Sequence, residues 1–141
     1  EKFNGQAYVS VNKALVTQSS SAIPFIPLYF VILKKVMKAK GVEEGCVEQI
    51  DRMFRDRLSQ DPVPVDDKGL IRMDDRELAD DVQKEALAVW ESISPETLNS
   101  DTDLKGYQED FLKLFGFGLA GVDYDADVET DLPLPSSSLT T

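Results

Sequence analysis

The sequence contains no histidine. That removes Ser–His and Cys–His nucleophilic catalysis and deprives a zinc site of its usual nitrogen ligand, so no metal is expected. Its one cysteine, Cys46, has no partner for an internal disulfide, which fits a reducing, cytoplasmic setting, or an organelle in a eukaryote. Long apolar runs are missing too. The stretch from Ala22 to Leu33 falls well short of the ~20 residues a membrane span needs. Pro24 and Pro27 interrupt it and Lys34 and Lys35 follow it, so no membrane partner is expected. No internal repeat is present. Any chemistry performed here must use Tyr, Lys, Ser, Thr or carboxylates.

What is abundant is negative charge: 26 Asp and Glu against 15 Lys and Arg, a formal net charge of −11. The excess is uneven. Residues 1–60 carry nine cations and six anions, whereas residues 61–141 carry six and twenty. An acidic second half repels phosphates and anionic lipid, so nucleic acid is not an expected partner. Lys34, Lys35, Lys38 and Lys40 form the one basic cluster. It reads either as an anion-steering patch or as the wet face and C-terminal end of a helix, where cations suit the helix dipole.

The periodicity predicts an α/β chain with one or two strands and mainly helices. Ala7 to Thr17 alternates β-formers and reads as a buried strand running into the polar Gln18-Ser-Ser-Ser21. Its sheet neighbours are expected outside this sequence, because a lone buried strand leaves its backbone groups unpaired. Leu28 to Lys40 repeats apolar residues at helical spacing and stops at Gly41. A second helix is expected over Glu43–Leu58, with Val47, Ile50, Met53, Phe54 and Leu58 as its apolar stripe. Leu70-Ile-Arg-Met73 reads as a short strand or extended segment. A third helix, Arg76–Ser92, is expected to be capped by Asp74 or Asp75 and to pack through Leu78, Val82, Leu87, Val89 and Trp90. Ser94-Pro95 opens a short helical turn. A last helix is expected over Gly106–Phe115 after Asp101 or Thr102. The end from Pro133 lacks periodicity and is expected to fray.

The segment richest in chemistry is Leu15-Val-Thr-Gln-Ser-Ser-Ser-Ala-Ile-Pro24. A hydrophobic strand that runs into Thr, Gln and three serines delivers hydroxyls and free amides to a strand's carboxyl end, where α/β sheets bind ligands. The plainer reading is a strand-to-helix turn with serine caps. Phe115 to Gly121 carries three glycines but follows a helix and lacks the spacing of a dinucleotide fingerprint. Asp123-Tyr-Asp-Ala-Asp127 starts like a calcium loop. Ala126 and Val128 then stand where glycine and further ligands belong, so calcium is not expected.

These same residues carry a resemblance. Val9-Ser-Val-Asn-Lys-Ala-Leu-Val-Thr-Gln-Ser-Ser-Ser-Ala-Ile-Pro24, then Pro27-Leu-Tyr29 and Lys35-Val-Met-Lys38, resemble the single-chain trans-2-enoyl-CoA/ACP reductases. So do Glu44-Gly-Cys-Val-Glu-Gln-Ile50, Asp103-Leu-Lys-Gly-Tyr107, Phe111-Leu-Lys-Leu-Phe-Gly-Phe-Gly118 and Gly121-Val-Asp-Tyr-Asp-Ala-Asp-Val128. The match is collinear over nearly the whole chain.

The resemblance implies the C-terminal part of a short-chain-dehydrogenase-like Rossmann fold and reduction of the C2=C3 bond of an enoyl-CoA or enoyl-acyl carrier protein by NADH in fatty acid synthesis. It implies a monomer when full length. Residues 1–60 are then the end of the catalytic domain, 61–128 a helical region with the Phe/Gly-rich signature, and 129–141 a flexible tail. The family's catalytic Tyr-x8-Lys pair and Gly-rich site are expected upstream of Glu1, with no catalytic residue in this segment, which alone is expected to be inactive. Tyr29 and Lys38 have the pair's spacing but lie on the helix after the Ser-rich loop, away from the family's catalytic position.

By the same resemblance, Leu15, Val16, Thr17 and Gln18 hold the nicotinamide end of NADH, and Ser20 and Ile23 border that pocket. Phe25, Ile26 and Tyr29, with Leu28, face the acyl chain; core packing is the competing role for the helix residues. The family's Phe115–Val128 region has been labelled flavin-binding, yet no phosphate-cradling glycine loop opens a helix there, and hydride transfer from NADH to an activated enoyl thioester needs no FAD. The reading from another class is an acidic helical interaction module without activity.

Overall fold

The most apolar stretch of the chain makes its longest helix. In the computed structural model, which describes residues 5–129 and 131, the elements run β1 (Val9–Val11), α1 (Gln18–Ser21), α2 (Ile26–Ala39), α3 (Cys46–Met53, continuing as a π-helical turn over Phe54–Leu58), β2 (Leu70–Arg72), α4 (Asp80–Ser92), α5 (Leu98–Asp101) and α6 (Leu104–Lys113). Within α2, Val31, Ile32, Leu33, Val36 and Met37 are buried. Ile32, Leu33, Val36 and Met37 meet Val82 and Ala86 of α4, and this pair of helices forms the core. The helix ends where expected, with Gly41 at φ +67°, a conformation glycine adopts without the steric cost other residues bear.

α6 crosses the other side of α2. Asp103 caps it, its Oδ1 accepting from the Gly106 amide at 3.0 Å, so the expected start at Gly106 moves back to Leu104. Gly106 permits the close approach: a Cβ there would collide with the Lys34 side chain and with Asp103. α4 likewise starts later than Arg76, because the Asp74 carbonyl closes a turn with the Leu78 amide (2.9 Å) and the helix begins after Ala79.

Two expectations are corrected. β1 is only three residues long, Val9 is 62 % exposed, and its parallel partner is within this chain: β2, in the register Val9↔Leu70, Ser10↔Ile71, Val11↔Arg72. The Met73 amide donates to Val11 O at 2.9 Å and extends the ladder. The second correction concerns α3, which turns its stripe outward. Val47, Ile50 and Phe54 are exposed, whereas Gln49 and Arg52 are buried. Arg52 accounts for the inversion. It donates to Glu44 (2.8 Å), to Asp75 (2.9 Å) and to the Met73 carbonyl (2.7 Å), tying α3 to the end of β2. Arg76 reaches the other Glu44 oxygen at 2.8 Å. Leu78 falls before α4 and is exposed; within α4 Leu87 and Trp90 are exposed too, and the buried members are Val82 and Ala86. The expected tail beyond 131, including the frayed end from Pro133, lies outside the described residues.

Candidate functional site

β1 delivers the chain, still without helical structure, to Thr17, where a capping box starts α1. Thr17 Oγ1 accepts from the Ser20 amide (3.0 Å), and Ser20 Oγ accepts from the Thr17 amide (2.9 Å). Ser20 Oγ also lies 3.4 Å from the Leu15 carbonyl. The plain capping role anticipated for this turn is thus present. It leaves the amides of Leu15 and Val16 and the carbonyl of Val16 without a partner among the described residues. Half-buried donors and an acceptor side by side suit a group that both donates and accepts, as a carboxamide does.

Leu15 and Val16 form one wall of a groove of about 340 Å³; Phe30, Leu33 and Met37 of α2 form the opposite wall, and the start of α3 closes one end. Lys13 also lines it. The Lys13 ammonium donates to the Ala14 carbonyl at 3.0 Å, and burial pushes its pKa down, against the pull of Glu77 and Glu44.

The residues anticipated for a ligand are divided by the fold. Leu15 and Val16 line the groove; Thr17, the cap of α1, and Gln18 and Ser20 within it follow in the chain and are not among the residues that line it. Ile23 and Phe25 project outward, 51 % and 74 % exposed, and Phe25 adopts φ +67°, a strained position for an aromatic residue. Ile26 is half-buried. Tyr29 packs against the core, and its hydroxyl donates to Glu77 Oε1 at 2.6 Å. Burial, with the Glu77 hydrogen bond, pushes its pKa up to about 12. Lys38, at Tyr-x8-Lys spacing from it, is instead paired with Asp103 at 3.3 Å.

Sequence reasoning missed Lys13, Phe30 and Glu77. Phe30 carried a signal, its place on the apolar helix; Glu77 carried none, because its contacts are 48 and 63 residues away in the chain.

The basic cluster does not await an anion. Lys34 pairs with Glu43 (2.5 Å) and Asp110 (2.6 Å), Lys35 donates to the Ser100 carbonyl, and Lys40 pairs with Asp81 and Glu85, each at 3.0 Å. The acidic second half therefore neutralises the basic face of α2. After α6, Gly116, Gly118 and Gly121 take positive φ in a turn clasped by Tyr124, whose hydroxyl donates to Gly116 O (2.6 Å) and accepts from the Leu119 amide (2.8 Å). Among the described residues no group of three or more His, Cys, Asp or Glu is placed to hold a metal.

Residues 1–59 match a family model described as the trans-2-enoyl-CoA reductase catalytic region. Residues 65–128 match one described as the enoyl reductase FAD binding domain. An enoyl-acyl-carrier-protein reductase (NADH) of Flavobacterium johnsoniae is 59 % identical over 128 residues, 90 % of this chain and 32 % of that protein. One of Coxiella burnetii is 51 % identical over 138 residues, 97 % of this chain and 34 % of that protein. Among solved structures, the trans-2-enoyl-CoA reductase of Clostridium acetobutulicum in complex with NAD superposes with a TM-score of 0.81 at 50 % identity, covering 89 % of this chain and 33 % of that one. The enzyme of Treponema denticola, also with NAD, gives 0.81 and 50 %, covering 87 % and 31 %. The chain spans about a third of the length of the relatives it matches.

Proposed function

The chain belongs to the trans-2-enoyl-CoA/ACP reductase family, and on that premise we propose that it is the C-terminal portion of an NADH-dependent enoyl-thioester reductase. The observation that carries the reading is the Leu15–Val16 segment, which has unpartnered backbone groups and lines a groove together with apolar residues of α2. Its relatives are NADH enzymes by description, and its neighbours bind NAD. An interaction module without activity is not favoured by these matches.

In this reading Leu15, Val16, Thr17 and Gln18 hold the nicotinamide end, which when bound supplies the hydride that goes to the β-carbon of the enoyl thioester. The backbone amides and carbonyl orient the carboxamide, and the Thr17 hydroxyl, used as an acceptor within the turn, keeps its proton for donation. Ser20 and Ile23 border the pocket. Phe25, Ile26 and α2 exclude water from the acyl chain, strengthening electrostatic interactions inside. Tyr29 is a wall of that cover and not an acid, since its proton is held by Glu77 and its pKa lies near 12. The Tyr and Lys that stabilise and protonate the substrate belong to the part of the reductase this chain does not span. Residues 1–60 complete the catalytic domain, and 61–128 form its helical support. The substrate is an enoyl-CoA or enoyl-acyl carrier protein, and the complete enzyme is a cytoplasmic monomer that engages neither nucleic acid nor membrane. Among the described residues no helix is long and apolar enough to cross a membrane.

The residues of 65–128 do not fit a flavin dinucleotide. The segment carries seventeen carboxylates against six cations. Its Arg72 and Arg76 are both committed, to Asp74 at 2.6 Å and to Glu44 at 2.8 Å. α4 opens with Asp80 and Asp81, which repel a diphosphate from the end that would otherwise attract it. No step is assigned to FAD.

The test is NADH oxidation with crotonyl-CoA. The complete protein is expected to turn over and the isolated 141 residues are not. Absence of thioester-dependent oxidation by the complete protein would overturn the proposal. Turnover by the isolated chain would overturn the assignment of the acid and base to the remainder.

A further inference from the structure

We propose that Glu77 is a positioning residue that sets the spacing between the cofactor-facing segment and the helix covering the substrate, an inference that rests on the function proposed above. Glu77 lies in the turn between β2 and α4 and is 8 % exposed. Each of its carboxylate oxygens takes a hydrogen bond from a different segment: one from Ala14, which lines the groove, the other from Tyr29, whose neighbour Phe30 lines it. Oε2 accepts from the Ala14 amide at 2.5 Å, immediately before Leu15 and Val16. Oε1 accepts from the Tyr29 hydroxyl at 2.6 Å, immediately before Phe30. Gln83 fixes the arrangement from behind, donating to the Glu77 carbonyl at 2.7 Å and to the Tyr29 hydroxyl at 3.3 Å.

No Lys or Arg forms an ion pair with Glu77 among the described residues. Lys13 attracts it without forming an ion pair; a buried carboxylate without a direct ion pair is expensive, and a neutral side chain would cost this turn less. What the carboxylate offers is two short, charge-assisted acceptors diverging from one carbon, which fix two donors at one separation. The donors are the backbone that borders the nicotinamide-side groups and the helix residue beside the groove's aromatic wall. The region matched as flavin-binding thereby serves the reaction by bracing the nicotinamide-side segment from behind.

The experiment uses the complete reductase with Glu77→Ala, Glu77→Gln and Tyr29→Phe. NADH affinity is measured by fluorescence titration, KM and kcat with crotonyl-CoA, and hydrogen exchange at Ala14–Thr17. For Glu77→Ala, NADH Kd and KM are expected to rise roughly fivefold or more, the scale of losing a charge-assisted hydrogen bond, with faster exchange at Ala14–Thr17. Glu77→Gln, which keeps one neutral acceptor for Ala14 and offers Tyr29 a donor in place of the second acceptor, should recover only part of the affinity. Tyr29→Phe, which frees only the helix, should raise the thioester KM more than the NADH KM. An alanine variant that binds NADH like wild type, even with a lowered Tm, would reduce Glu77 to a scaffold residue and overturn the proposal. If the alanine variant does not fold, Glu77→Asp decides the matter: a raised NADH Kd supports the role and an unchanged one overturns it. A wild-type enzyme that fails to bind NADH overturns the underlying function, and with it this role.

Discussion

Thr17→Ala removes a single oxygen from the residue that follows Leu15 and Val16. That oxygen accepts from the Ser20 amide at 3.0 Å, and it is half of a reciprocal pair whose other half spans 2.9 Å. Losing a side-chain cap of this kind costs about 1 kcal/mol. α1 has a single turn and no buried residue, so no packing offsets the loss. The turn loosens, and Ser20 Oγ no longer steadies the Leu15 carbonyl 3.4 Å away. The hydroxyl proton available to the cofactor is lost as well. A loss of about 1 kcal/mol corresponds to a roughly fivefold higher NADH Kd. Fluorescence titration of the complete reductase, run beside thermal denaturation, reads both effects. Because Thr17 orients the cofactor and does not touch the acyl carbon in this account, kcat at saturating NADH should stay near wild type. Thr17→Ser keeps the oxygen and should restore binding. An alanine variant with wild-type NADH affinity would refute the reasoning, as would a serine variant as weak as the alanine one.

Three further outcomes are expected. Arg52→Met leaves Glu44 buried with only the half-exposed Arg76 and orphans the Met73 carbonyl; the cost should be about 3 kcal/mol, read as a lower urea midpoint. Phe25→Gly relieves the φ +67° backbone at the start of α2 and should raise stability by up to about 1 kcal/mol. The same change strips an apolar contact, so the KM for the enoyl thioester should rise while NADH affinity holds. Arg72 holds the Asp74 carboxyl below its ordinary range, and Lys40 does the same for Asp81. Both folded-state values lie below the unfolded ones, so their contribution is complete above about pH 4 and lost as pH falls through the folded values. Urea midpoints should therefore be level between about pH 5 and 7 and fall below about pH 4.

Where a stretch of sequence was apolar on one face and had a partner within the chain, the fold was legible. α2 follows its periodicity and stops at Gly41, and Leu70–Met73 pairs as the short strand it resembled. α3 was misread for a physical reason. Periodicity locates an apolar stripe but does not say which side has a partner, and here Glu44, Arg52 and Asp75 turn the polar side inward. The strand neighbour sought elsewhere was β2, more than fifty residues on. In the candidate site, Leu15 and Val16 line the groove, although the strand expected to carry them ends at Val11. Tyr29 was placed correctly on the helix beside the groove, but the sequence did not reveal that Glu77 had claimed its hydroxyl. The apolar residues Val47 and Ile50 of α3 and Phe54 after it are exposed.

In the proposed function this chain supplies the segment that holds the nicotinamide end of NADH. Hydrogen exchange of the complete reductase, with and without NADH, tests it most directly. NADH is expected to slow exchange at the Leu15 and Val16 amides, which have no hydrogen-bond partner among the described residues. Tight NADH binding with unchanged exchange over Ala14–Gln18 would contradict it.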